Sequence, residues 1–84
     1  MEKENDWRLL GLLTRNEMLK MRGYSFSCAH AGGIVIDRSG HVHGIWDFDG
    51  RNYTWRSPGS AEPQFRTEDP KSAVLYTLAA LPQG

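Results

Sequence analysis

Between Asn5 and Gly23, "NDWRLLGLLTRNEMLKMRG", apolar residues recur every three or four positions, the period of a helix with one buried face. Asn5 or Asp6 suits the N-cap, and Gly23 suits a left-handed end. Thr14 and Glu17 stand at capping-box spacing, and Gly11 weakens the first half by about 1 kcal/mol relative to alanine. The pattern therefore predicts either one kinked helix or a short segment leading into a second helix from Arg15 to Arg22. Leu10, Leu13, Met18 and Met21 are its expected buried face.

From Tyr24 the period becomes two. "YSFSC" sets Tyr24, Phe26 and Cys28 against Ser25 and Ser27, which predicts a short strand with a buried thiol, and "AHAGG" reads as a turn. In "GIVIDRSGHVHGIWDFDGRNYTWRSPG" the Asp49-Gly50 pair predicts a type I′ hairpin with Phe48 opposite Arg51. "DRSGH" fits a three-residue loop with Gly40 left-handed, a bulge, and Asp37 opposite His41. That register gathers Ile34, Ile36, Val42, Trp46, Phe48, Tyr53 and Trp55 on one face. It leaves Val35, Asp37, His41, His43, Ile45, Asp47, Asn52, Thr54 and Arg56 on the other. A two-residue loop at Ser39-Gly40 would instead turn Ile34 and Ile36 to the polar face, because a slip of one residue reverses every side chain. Gly44 is expected to make room for Trp55.

"SPGSAEPQFRTEDP" reads as a loop with a short edge strand at Gln64 to Thr67. Asp69 caps the last helix, Pro70 suits its first turn and Pro82 stops it. In "KSAVLYTLAAL", Val74, Leu78 and Leu81 mark one face with Leu75 beside them. These elements predict an α+β fold, an antiparallel three- to four-stranded meander with an N-terminal and a C-terminal helix packed on one face, in the order α-β-β-β-α. Residues 1–84 are expected to form a single small domain. The element order is similar to that of double-stranded-RNA-binding domains. Those domains carry a lysine-rich start to the last helix, whereas "TEDPKS" holds one lysine and two acids here. Fold alone does not assign function.

Composition narrows the function classes. A chain of 84 residues buries only roughly 60–65% of its unfolded surface, so the three Trp, three Tyr and three Phe must supply much of the core. Ten Lys and Arg balance ten Asp and Glu, without the basic excess that phosphate neutralisation asks for. One cysteine excludes an internal disulfide and suits a cytoplasmic protein. Acidic residues around the first apolar stretch argue against a secretory leader, and no apolar run approaches membrane-spanning length.

Candidate chemistry is sparse. Cys28 and His30, with His41 and His43, form two pairs at i, i+2 spacing that adjacent strands could turn toward a zinc ion, but the spacing lacks the specificity of CxxC motifs. A Cys28 nucleophile with a histidine base and Asp47 as orienting group has no recognisable local signature. Asp37, Asp47 and Asp49 are better explained by a solvated face and a turn than by paired-carboxylate hydrolysis. Gly32-Gly33 precedes a strand rather than a helix and so lacks an anion-binding terminus. After Lys71 the last helix carries no charge, and a helix apolar all round is normally buried.

The expected function is a small, non-catalytic protein-binding module with no cofactor or metal. It would act as an adaptor or inhibitor of a larger assembly, of the kind phages and mobile elements encode. The expected contacts are Tyr76, Ala73 and Ala80 on the last helix, where a homodimer would form, and His41, His43, Asn52 and Arg56 on the polar sheet face. Two alternatives stand beside it. One is a nucleic-acid-binding module using Arg51, Asn52, Arg56 and the first helix. The other is a metal-binding domain using Cys28, His30, His41 and His43.

Overall fold

The computed structural model describes residues 2–29 and 32–81, with side chains from residue 7 onward. The elements run α1 (Glu2–Arg15), α2 (Glu17–Met21), β1 (Ser25–Cys28), β2 (Ile34–Arg38), β3 (His41–Phe48), β4 (Tyr53–Arg56), β5 (Phe65–Thr67) and α3 (Pro70–Ala80). The strands pair antiparallel in sequence order, a five-stranded meander. The α+β architecture is the one the pattern predicts; the meander has five strands where three or four were expected, because the short edge strand after the long loop joins it.

The first helical stretch breaks at Asn16. Its carboxamide accepts the Leu19 N–H at 3.1 Å and caps α2, while Thr14 donates to the Gly11 carbonyl at 3.2 Å rather than joining a capping box. A break resets the helical phase. Leu9 and Leu13 are buried from α1 and Leu19 from α2, so Met18 and Met21, expected inside, are 54% and 83% exposed. α2 closes as predicted at Gly23, whose N–H donates to Lys20 C=O (3.0 Å) while Tyr24 N–H reaches Leu19 C=O (3.3 Å), the bond pair of a Schellman end.

The β2–β3 hairpin differs from its predicted register. Arg38 pairs with His41 across a two-residue turn in which Ser39 (φ 54°) and Gly40 (φ 81°) both take positive φ, as a type I′ turn requires. Alone, that turn would expose the isoleucines. A bulge in β3 corrects the parity: Asp37 pairs with Val42 and Ile36 with Gly44, leaving His43 as the extra residue. Ile34 and Ile36 are thereby fully buried, and Val42, expected inside, is 43% exposed opposite Asp37.

The β3–β4 connection also slides. Phe48 pairs with Tyr53 and Trp46 with Trp55, and Asp49 N–H donates to Asn52 C=O at 3.0 Å. Gly50 (φ 101°) and Arg51 are the central residues, the glycine in the first position. The partners move by two residues relative to the expected ladder, so every ring keeps its face. Gly44 makes room for Trp55 as expected, though from a diagonal position. A Cβ there would lie 2.7 Å from Trp55 Cζ3 and closer still to Cη2 and Cζ2.

α3 begins at the expected cap, with Asp69 accepting Lys71 N–H at 3.1 Å and Ser72 Oγ–H at 3.2 Å, and with Pro70 in its first turn. Pro82, the expected stop, lies outside the described residues. The buried face of α3 differs from the expected one. Ala73, Val74, Thr77 and Leu81 face the core, Leu78 is half-buried, and Leu75 is 67% exposed. The small Ala73 and Thr77 let the helix settle over Trp46, whose indole N–H donates to Thr77 Oγ1 at 2.8 Å. Thr77 Oγ1–H in turn donates to Ala73 C=O at 2.7 Å.

α1 packs on α3, β1 and β3, and α3 packs on β5 and, through Thr77, on Trp46. Both helices thus cover the aromatic face. Among the described residues no helix lies on the opposite sheet face.

Candidate protein-binding surface

The uncovered face follows from strand alternation. Residues directly opposite each other in the ladder share a face, so the register reads off its rows. Ser27, Val35, Ile45 and Arg56 make one row, Asp47, Thr54 and Arg66 a second, and Ser25, Asp37 and Val42 a third. Val35 and Ile45 lie side by side at its middle, each half-buried by its neighbours, and Thr54 is buried although no helix covers it. Around this apolar centre the charges are matched. Arg56 Nη2 lies 3.4 Å from Asp47 Oδ2 on the next strand. Both partners are partly exposed, so the pair contributes at most about 1 kcal/mol; its effect is to neutralise the rim.

The seven expected contact residues separate. Arg56 alone sits on the open face. Asn52 closes the β3–β4 turn, its N–H donating to the Asp49 carboxylate at 2.7 Å. His43, displaced by the bulge, turns edge-on to the buried Tyr24 ring (5.4 Å, 89°), on the helix-covered side. His41, opposite Arg38, shares that side, because the Arg38 guanidinium lies over the same Tyr24 ring at 4.8 Å. The two histidines therefore leave the polar face where they were expected. At this end of the molecule Arg38 also donates to Arg22 C=O (3.4 Å), and Arg22 donates to Leu78 C=O (2.9 Å), which ties the end of α2 to the last turn of α3.

On α3, Ala73 is fully buried. Tyr76 stacks on Phe65 (4.1 Å, 7°) and meets Trp46 and Trp55 edge-on at 6.1 and 5.8 Å. Both serve this chain's own core, because a domain this small recruits its aromatic residues for burial. Ala80 remains exposed, beside Ala79. Between α1 and α3 lies an open groove of about 410 Å³ lined by Leu12, Arg15, Asn16, Lys71, Val74 and Leu75.

The metal ligands do not converge. Cys28, expected to be buried, is an exposed free thiol at the end of β1, opposite Ile34. His41 and His43 lie toward the other end of the sheet beyond β2, and His30 lies outside the described residues. Among the described residues no group of three or more His, Cys, Asp or Glu could hold a metal ion. The arginines of the nucleic-acid alternative are engaged by acids: Arg56 by Asp47, and Arg51 by Glu68 at 3.7 Å.

Asp49 has a different environment. The N–H groups of Asn52 and Arg51 donate to its carboxylate and hold its pKa below the ordinary 3.8. Its role is to brace a turn. Two further residues matter here, Arg66 on the open face and Thr77 beneath Trp46, neither of them among the expected contacts. The Gln64–Thr67 alternation signals Arg66, and a lone hydroxyl among apolar helix residues signals Thr77.

The fold and surface define a small α+β protein built on an antiparallel meander, with one face under helices and one open. No family model, curated protein or solved structure matches the chain. Among the described residues no helix is long and apolar enough to cross a membrane.

Proposed function

We propose that this chain is a small, non-catalytic protein-binding module, an adaptor or inhibitor of a larger assembly, that presents the open sheet face to its partner in the cytoplasm. The observation that carries this reading is the pairing of Val35 with Ile45 at the centre of an uncovered sheet, with the Asp47–Arg56 ion pair beside it. An apolar centre with a polar, charge-matched rim is the anatomy of a non-obligate protein interface. Side chains on strands are held by the ladder, so such a surface binds with little ordering cost.

The test compares the immobilised full chain with an Ile45→Glu variant in extract of the encoding cells. Ile45 points away from the core but is half-buried by its neighbours, so the variant is expected to keep its circular dichroism spectrum with only a modest fall in melting temperature. The expected result is a protein retained by the parent chain and released by the variant. Equal retention by both would overturn the assignment of this face. Titration with duplex and single-stranded nucleic acid at low salt is expected to show no binding, since Arg56 and Arg51 face acids and the chain carries no basic excess.

A further inference from the structure

We propose that two copies of this chain join edge to edge through β1, forming one continuous sheet of twice the five strands. The proposal stands independently of what the open face binds.

β1 is an outermost strand. Ala29 N–H donates to Gly33 C=O at 2.9 Å, and hydrogen-bonded pairs in an antiparallel ladder recur at every second residue. The bonds of β1 to β2 therefore belong to Ser27 with Val35 and Ser25 with Asp37. The main-chain N–H and C=O groups of Phe26 and Cys28 point the other way, off the sheet, and Ser27 and Cys28 are exposed. Such a row of groups matches one chemistry, another extended backbone.

Proteins blunt free edges with charge, proline or shortness. β5 shows all three: it spans Phe65–Thr67 with Arg66 at its middle and Pro63 and Glu68 on its flanks. β1, "SFSC", has no charge and no proline.

The helix above β1 points to a second copy as the occupant. On α1, Leu9 and Leu13 face the core. At about 100° per residue, Leu12 lies about 80° to one side of them, and Leu10 and Trp7 lie about 80° and 140° to the other. Leu12 lines the groove with Val74 and Leu75, which fixes the first side as the one toward α3. Trp7, 65% exposed, and the half-buried Leu10 therefore flank the free β1 edge. A two-fold axis at Ser27 sets Phe26 opposite Cys28 of the second copy, and each such pair exchanges two hydrogen bonds. No charge meets a like charge across this seam. The same axis brings the two α1 helices together above it and covers Trp7 and Leu10 on both. β1 is thus self-complementary in backbone and in side chains.

The test measures the mass of the full chain by light scattering and sedimentation over a range of concentrations. Twice the chain mass is expected, with Phe26 and Cys28 amide exchange slowing as concentration rises. Cys28→Pro removes an N–H that the β1–β2 ladder does not use, and Ser27→Lys sets like charges face to face on the axis. Both are expected to be monomeric with the parent's circular dichroism spectrum; should the proline variant unfold, the lysine variant decides. A parent chain monomeric throughout, or edge variants that stay dimeric, would overturn the proposal. So would a dimer lost with Leu75→Glu but kept with Ser27→Lys.

Discussion

Replacing Thr77 with valine separates the shape of its site from its hydrogen bond. Valine matches threonine in volume and in helix propensity, so neither a cavity nor a helix penalty enters. What is lost is the acceptor for Trp46 Nε1–H, at 2.8 Å in the fully buried centre of the core. A buried donor left without a partner costs about 1–3 kcal/mol. The Ala73 carbonyl loses only its second donor, because the helix still supplies one. The expected destabilisation is about 2 kcal/mol, against a total of roughly 4–13 kcal/mol for a domain of this length. In a thermal melt that lowers Tm by roughly 8–16 °C. Urea unfolding followed by tryptophan fluorescence should show a lower midpoint with an unchanged slope. Thr77→Ser, which keeps the hydroxyl and gives up one methyl, should cost about 1 kcal/mol. A valine variant within about 0.5 kcal/mol of the parent, below the range for a lost buried partner, or more stable than the serine variant, would show that the Trp46–Thr77 bond contributes nothing.

Gly44→Ala drives a methyl into the Trp55 ring, itself only 3% exposed, and should cost about 1–3 kcal/mol in chemical denaturation; parent-like stability would show that the ring yields. Tyr76→Glu sets a carboxylate among Phe65, Trp46 and Trp55 and should lower the melting temperature sharply at neutral pH, in the monomer and any oligomer alike, with partial recovery in acid. An unaltered melt with a changed mass would place Tyr76 at a subunit contact instead. Asp49 has a lowered folded-state pKa, so its contribution is full above the unfolded value near 3.8 and disappears as pH falls through the lower folded value; Asp49→Asn should flatten that acid limb, and a carboxyl titration midpoint at or above the ordinary value would contradict the turn geometry.

The aromatic face was legible because strand parity survives errors of two residues. Trp46, Tyr53 and Trp55 point inward whether Trp46 pairs with Tyr53 or with Trp55, so the misplaced turn did no harm. The β2–β3 hairpin was harder. Burial of Ile34 and Ile36 demanded one extra residue somewhere, and a loop bulge and a strand bulge satisfy that demand equally. Ser39 accepted a positive φ, the extra residue moved to His43, and both histidines left the polar face with it. A second helix after a break was one of the two readings of the first stretch, but hydrophobic periodicity does not place a break made by one side chain or the change of phase that follows it. Asn16 reads as a surface residue in the sequence, yet its cap separates α1 from α2 and puts Met18 and Met21 outside. For α3, an almost uniformly apolar sequence holds little phase information. Its orientation is set by Trp46, which needs an acceptor and finds the hydroxyl of Thr77. The candidate surface was half visible: the outward positions Val35, Ile45, Asp47 and Thr54 follow from alternation, but their value as a surface depends on both helices choosing the opposite side.

The strictly sequential strand order shapes how the chain reaches its native state. Strands β2, β3 and β4 each close onto their predecessor through a short loop, and β5 follows across the longer 57–64 segment, so most of the ladder forms at small loop-closure entropy and with low sequence separation. The contact of greatest sequence separation is the meeting of α1 with α3. That contact can reward the chain only after the hairpins have brought its walls together. The middle strands should therefore acquire amide protection first and the terminal helices last, and early openings of the native protein should begin with those helices lifting from the sheet.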